Sequence, residues 1–194
     1  NGLGIYYKGI EWKLLKWDDG LFAMNVLNIA EDKTNKVDNF TRLWIGTLGD
    51  GAIRLTVDNQ LLVNYDYFSG SAAGLEQTWV RPFNYKNTVL FGVASGLMKF
   101  IDENTIRANL PDSLKNSVEL QGYFDYSELL SVDSVSITSL MSDQHMTFLC
   151  MDGKLATINE KNELHSIPFL SIEKGNVNTI LPDRNQLLAG ADEG

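Results

Sequence analysis

Residues 42–55, RLWIGTLGDGAIRL, decide how the rest of the chain is read. Leu43, Trp44 and Ile45 run into Gly46, a turn with Gly49, Asp50 and Gly51 follows, and Ile53, Leu55 and Val57 then alternate with Arg54 and Thr56. A period of two marks a strand with unequal faces, so the segment predicts a hairpin of two strands around a glycine turn. The pattern recurs. Residues 88–100 read TVLFGVASGLMKF, a weaker copy stands at 146–158 (MTFLCMDGKLATI), the first half of another at 186–194 (QLLAGADEG), and the second half of one opens the chain as NGLGIYY. With Gly2, Gly51, Gly96, Gly153 and Gly194 as markers, the repeat period is about 48 residues.

Working outward, each hairpin is preceded by a short apolar segment closing on a residue suited to an Asx turn: 26–32 on Asp32, 79–84 on Asn84, 135–143 on Asp143 and 177–183 on Asp183. Downstream of each hairpin, the opening half copy included, come a polar turn and a further apolar segment: Ile10 to Leu15, Gln60 to Tyr65, Thr105 to Leu110 and Glu163 to Phe169. Helical stripes are missing, and only Asp112 to Lys115 and Tyr126 to Leu130 suit a helical turn. Four antiparallel strands per 40 to 50 residues predict an all-β fold, a β-propeller of four-stranded antiparallel blades. The boundaries are a half blade 1–17, complete blades 24–65, 77–110 and 134–170, and a half blade 176–194. All lie in one domain, 1–194, read as part of a larger propeller. The turn glycines are expected to take positive φ.

Composition narrows the function. Among 194 residues, 16 are basic and 25 acidic, a net charge of −9 that repels phosphate backbones and so speaks against nucleic acid as a partner. No apolar run reaches the roughly 18 to 20 residues of a membrane helix, so no direct membrane insertion by this segment is expected. A single cysteine excludes an internal disulfide framework, and two histidines far apart leave few zinc ligands, so no metal and no cofactor is expected. The chain starts at Asn1 without a signal sequence, which reads as a piece of something longer and leaves localisation open.

Candidate chemistry is thin. Asp58, Asp102, Glu103 and Glu160 fall in predicted turns, and neither Asp18-Asp19-Gly20 nor Gly49-Asp50-Gly51 offers the spaced oxygen ligands of a calcium loop. His145 and His165 stand on different predicted elements with no nucleophile elbow, and Cys150 reads as a small buried hydrophobe. Catalytic residues are therefore expected to be absent. Aromatic side chains are more informative, because flat rings meet the C–H face of a sugar while amides, carboxylates and guanidinium groups meet its hydroxyls. Two connections are long, Asp66 to Gln77 and Pro111 to Asp133, and long connections on a rigid scaffold are where binding concentrates. The ligand-binding candidates are Tyr67, Trp79, Arg81, Tyr123, Asp125 and Tyr126; Trp44 is assigned to the core, and Trp12 and Trp17 to packing.

Leu43-Trp44-Ile45-Gly46-Thr47, with Phe91, Gly92, Gly96 and Leu97 in the next copy and Glu11 and Trp12 after the opening hairpin, resembles the repeat of the two-component regulator propeller family. The register covers the whole chain, and the strong match is one copy: Cys150 stands where the repeat has glycine, and Leu188 where it has tryptophan or phenylalanine. The resemblance implies the periplasmic, extracytoplasmic sensor region of a membrane histidine kinase or hybrid regulator of the kind common in Bacteroidota. Such a region would bind an oligosaccharide or similar small molecule and would dimerise through its parent protein. It implies no catalysis by this segment. A propeller lyase or hydrolase acting on polysaccharide fragments, or a protein-interaction scaffold, are the other readings.

Overall fold

The computed structural model describes residues 3–7, 11–15, 25–34, 40–58, 63–75, 79–116, 119–127, 135–142, 146–167, 176–183 and 186–191. Leu3–Tyr7 (β1) pairs with Glu11–Leu15 (β2), Leu3 lying opposite Leu15. A four-stranded antiparallel sheet follows, made in chain order from Val26–Glu31 (β3), Phe40–Thr47 (β4), Ala52–Asp58 (β5) and Val63–Phe68 (β6). The second sheet holds Val80–Tyr85 (β7), Thr88–Val93 (β8), Gly96–Ile101 (β9) and, after the short helix Glu103–Ala108 (α1), Tyr123–Tyr126 (β10). A third holds Ile137–Ser142 (β11), Thr147–Met151 (β12), Lys154–Ile158 (β13) and Leu164–Ser166 (β14). Val177–Asp183 (β15) and Gln186–Ala191 (β16) form a closing two-stranded sheet. The chain is thus nearly all β, and each four-stranded sheet is laid down strand by strand.

The repeat read from the sequence is real in three dimensions. Gly51, Gly96 and Gly153 occupy the same turn of successive sheets, between the second and third strands, and all take positive φ (78°, 148° and 71°). Gly2 and Gly194 lie outside the described residues. The expected fourth strands shift. In the first sheet β6 runs to Phe68, so Tyr67 stands in a strand and not in the following connection. In the second, Thr105 to Leu110 is not a strand: Asp102 caps α1 by accepting from Thr105 N at 2.6 Å, and Asn109 closes the helix. The strand that completes this sheet is Tyr123–Tyr126, inside the stretch read as an insertion, with Phe124 opposite Phe100. Asp112 to Lys115 forms turns.

Cross-strand register sorts the side chains into two faces. Trp44, Arg54 and Asp66 are direct neighbours on β4, β5 and β6, and Ile45 and Ile53 share the opposite face. On the first face Trp44, only 2% exposed, packs with Phe68 and with Phe91, Phe100 and Phe124 of the next sheet. A ring system burying about 200 Å² at about 25 cal/mol per Å² contributes about 5 kcal/mol, so this aromatic nest is the main adhesive between the first two sheets. Phe83, Leu90 and Leu97 pack likewise against Ile137, Leu149 and Ala156 of the third sheet, and Cys150 and Leu155 against Val177 and Ile180 beyond it. The core is therefore a series of layers between successive sheets, and the middle strands are buried on both faces.

Glycine fixes how closely the sheets approach. A Cβ at Gly46 of β4 would collide with the Val80 carbonyl oxygen of β7, and one at Gly92 of β8 would collide with the Ile137 carbonyl oxygen of β11. Both are second-strand positions facing the first strand of the next sheet.

Candidate functional site

The first strands β3, β7, β11 and β15 jointly wall a cavity of about 360 Å³. Register explains how residues some fifty positions apart meet there. Asn28, Arg81, Ser139 and Thr179 are equivalent: each lies opposite the second-strand residue Gly46, Gly92, Cys150 or Gly190. In three of the four strands one extra residue (Leu27, Thr138, Asn178) interrupts the pairing just before this position. Bulges of this kind bend a strand and re-aim its side chains.

Polar residues at this level reach from sheet to sheet. Asn28 Nδ2 donates to the Pro82 carbonyl at 2.7 Å, and Arg81 Nη1 donates to the Thr138 carbonyl at 3.0 Å. The Arg81 guanidinium also lies 5.8 Å from the Trp79 ring. Arg81 Nε and Thr138 Oγ1 are nevertheless buried without a hydrogen-bond partner, and both belong to residues of the cavity wall. Buried polar groups are seldom left unpaired, so two such atoms in residues of one cavity wall stand out, although neither atom is itself exposed to the void. Next to them, burial pushes the Cys150 thiol up to about 11, against weaker opposing effects of the Thr138 side chain and the Arg81 charge. Thr138 Oγ1 is near enough to act on that thiol but does not reach hydrogen-bond geometry with it. Cys150 is fully buried, as its sequence reading expects.

A second cavity, about 250 Å³, lies between the first two sheets at their other end and is walled in part by Asp32, Arg42, Trp44, Arg54 and Asp102. Here the charges are matched. Arg54 bonds Asp66 at 2.8 Å and Glu103 of α1 at 3.2 Å while lying over the Phe68 and Phe100 rings. Burial opposes its charge, but the two carboxylates outweigh it and raise its pKa. Burial likewise pushes the Glu103 carboxyl up, yet its own backbone N–H, Arg54 and the Gly122 N–H hold it below the usual carboxylate range. Asp32 accepts from Trp44 Nε1 and from Thr34 N, the Asx turn expected there, and lies 4.0 Å from Arg42. These contacts account for most of the cavity's charge without a ligand, although Arg42 Nε is buried without a hydrogen-bond partner.

The sequence-predicted candidates are spread along the turn end of the second sheet and its neighbour. Arg81 lines the first cavity and Trp79 stacks beside it, bridged to Leu48. Tyr123, Asp125 and Tyr126 are exposed on β10, the outer edge strand, where the Tyr126 hydroxyl bonds Ser95 at 2.8 Å and Asp125 accepts from Tyr126 N. Tyr67 stacks on Tyr65 of the first sheet. These outer residues do not join Arg81 in one pocket. Asn28, Ser139 and Thr179 are hidden in the sequence because the bulges at Leu27, Thr138 and Asn178 shift them by one place relative to Arg81, masking a polar residue that recurs once per period. Of the calcium candidates, Gly49 to Gly51 is a plain turn in which Thr47 Oγ1 bonds Gly51 O and accepts from Asp50 N, and Asp18 to Gly20 lies outside the described residues. No group of three metal-ligating side chains occurs among the described residues. His145, Trp17 and the Trp12 side chain also lie outside them, and His165 is exposed on β14.

No protein-family model and no curated protein matches the chain. Two crystal structures, both of the extracellular domain of BT4673 from B. thetaiotaomicron, are similar to it in fold. One, named as a one component system, is 19% identical with a TM-score of 0.57 over 89% of this chain and 20% of its own. The other, named as a hybrid two component system, is 16% identical with a TM-score of 0.58 over 98% of this chain and 25% of its own. The chain thus spans a fifth to a quarter of the length of those it matches. No helix among the described residues is long and apolar enough to cross a membrane.

Proposed function

We propose that the stacked sheets are blades of a β-propeller and that this chain is an extracytoplasmic, non-catalytic ligand-sensing segment of a two-component regulator, taking a small molecule such as an oligosaccharide end. The observation that carries this reading is the cavity shared by the first strands of four successive sheets, with two unpaired buried polar atoms in its wall. First strands of radially arranged blades meet around an axis, which accounts for one void touching all four. The likeness to the extracellular domain of a regulator supports the sensing role. Ligand uptake across four sheets would alter how they pack, and the parent protein, as a homodimer, would pass that change on.

A thermal-shift screen of the chain with mixed plant and host oligosaccharides tests the reading. Ligand binding to the native state raises the melting temperature by mass action, so at least one pool should stabilise the protein, and Trp79→Ala should reduce the shift. Loss of the shift in Tyr123→Ala with Trp79→Ala unaffected would move the site to the outer strand β10. Turnover of any pool into smaller products would favour the hydrolase or lyase reading instead.

A further inference from the structure

We infer that the molecule entering the four-strand cavity presents an oxyanion, and that Arg81 reads the carboxylate of an acidic sugar there. This rests on the sensing reading above and narrows its ligand class. Among the described residues lining the cavity, Arg81 is the single charged one, and none is an aspartate or glutamate. Arg42 and Arg54 each have a carboxylate of this chain within 4.0 Å, whereas Arg81 has none among the described residues. A guanidinium with no carboxylate partner among the described residues, inside a chain of net charge −9, runs against the chain's overall field, which would otherwise turn anions away.

The geometry around Arg81 suits a planar anion. One of its five N–H groups holds the Thr138 carbonyl, which fixes the fork; Nε is buried without a partner. Guanidinium forks match carboxylates in two parallel bonds, and the Thr138 hydroxyl, also unpaired, would donate to one of the same oxygens once a ligand turns both closed-off groups toward the void. Asn28, Ser139 and Thr179, at the equivalent place on the other strands, offer groups for neutral hydroxyls. A cavity of about 360 Å³ lies at the low end of the roughly 300 to 1,000 Å³ of small-molecule sites, room for one sugar ring and not for a chain. A neutral sugar would leave the charged fork unanswered, which is the costlier arrangement.

Calorimetric titration of the whole chain with galacturonate and glucuronate, with galactose and glucose, and with inorganic sulfate and phosphate tests this. Uronates should bind about tenfold or more tightly than their neutral parents, with affinity falling as salt is added. Arg81→Gln should erase that preference. Thr138→Val keeps the backbone carbonyl that Arg81 grips and should weaken uronate binding several-fold, which covers an Arg81→Gln protein that fails to fold. Equal binding of neutral and acidic sugars, unchanged in Arg81→Gln, would overturn the acidic class and leave the sensing reading standing. Sulfate or phosphate binding as tightly as the uronates would overturn the sugar. Failure of every probe would overturn the acidic-sugar inference, while the oligosaccharide thermal-shift screen decides the sensing reading separately.

Discussion

Gly46→Ala is the sharpest test of how the sheets are held together. The added methyl would land on the Val80 carbonyl oxygen and the Pro82 ring and within 2.8 Å of the Val80 carbonyl carbon. Carbon atoms pack comfortably at about 3.5 Å or more, so the carbonyl carbon alone asks β7 to retreat by about 0.7 Å, and the two closer contacts ask for more. It has little freedom to do so, because Val80 is fully buried and Pro82 Cδ blocks the alternative direction. Overpacking of this kind costs about 1 to 3 kcal/mol, and partial loss of the aromatic nest around Trp44 places the expected value near the upper end, about 3 kcal/mol. For a chain of this length that is a fall in Tm of about 6 to 12 °C. Urea titration of wild type and variant, with Cys150→Ala as a control at the equivalent position of the third sheet, measures it. Cys150→Ala removes one sulfur from a fully buried site and should cost about 1 kcal/mol. A Gly46→Ala protein within about 0.5 kcal/mol of wild type would refute the claim that contact at this glycine sets the spacing of the sheets.

Other outcomes follow from the remaining contacts. Arg54→Met should destabilise by about 1 to 2 kcal/mol, because the stem still packs on the rings while the charge bridging Asp66 and Glu103 is lost, and Glu103→Gln should add little to it; additive effects in a double-mutant cycle would contradict the pairing. The Glu103 carboxyl titrates below its unfolded value, so its stabilisation is full above the ordinary glutamate range and lost as pH falls through the lowered folded pKa; acid unfolding of Glu103→Gln should be correspondingly shallower. Cys150, buried with a thiol pKa of about 11, should resist alkylation at pH 8 in the native protein and react fully in urea; fast native labelling would show that the layer around Val177 and Ile180 opens.

Much of the fold was legible because its signals are local. Hairpins announce themselves through alternation and through glycines whose positive φ the turns require, and Trp44 as core follows from its place between Leu43 and Ile45 in a strand buried on both faces. Residues 105–110 misled for a physical reason: TIRANL alternates well enough for a strand, but Asp102 places an oxygen on Thr105 N and starts a helix before any strand can pair. The completing strand Tyr123–Tyr126 is only four residues long and pairs across a connection of more than twenty, so nothing nearby marks it. The site was less legible than the fold. Arg81 was found through its aromatic neighbour, but its cavity partners lie a period or more away and one residue out of step, a shift that only pairing reveals.

The hydrogen bonds from Asn28 to Pro82 and from Arg81 to Thr138 pass forward in one direction, the first sheet gripping the first strand of the second and the second that of the third. Gene duplication within such an array therefore carries a grammar. At these two junctions a whole repeat brings both an outgoing donor at the Asn28 level and an incoming carbonyl, whereas a fractional insertion would leave one clasp empty. Drift at that level is constrained to side chains long enough to cross the gap, which explains how asparagine and arginine can serve the same office in neighbouring copies.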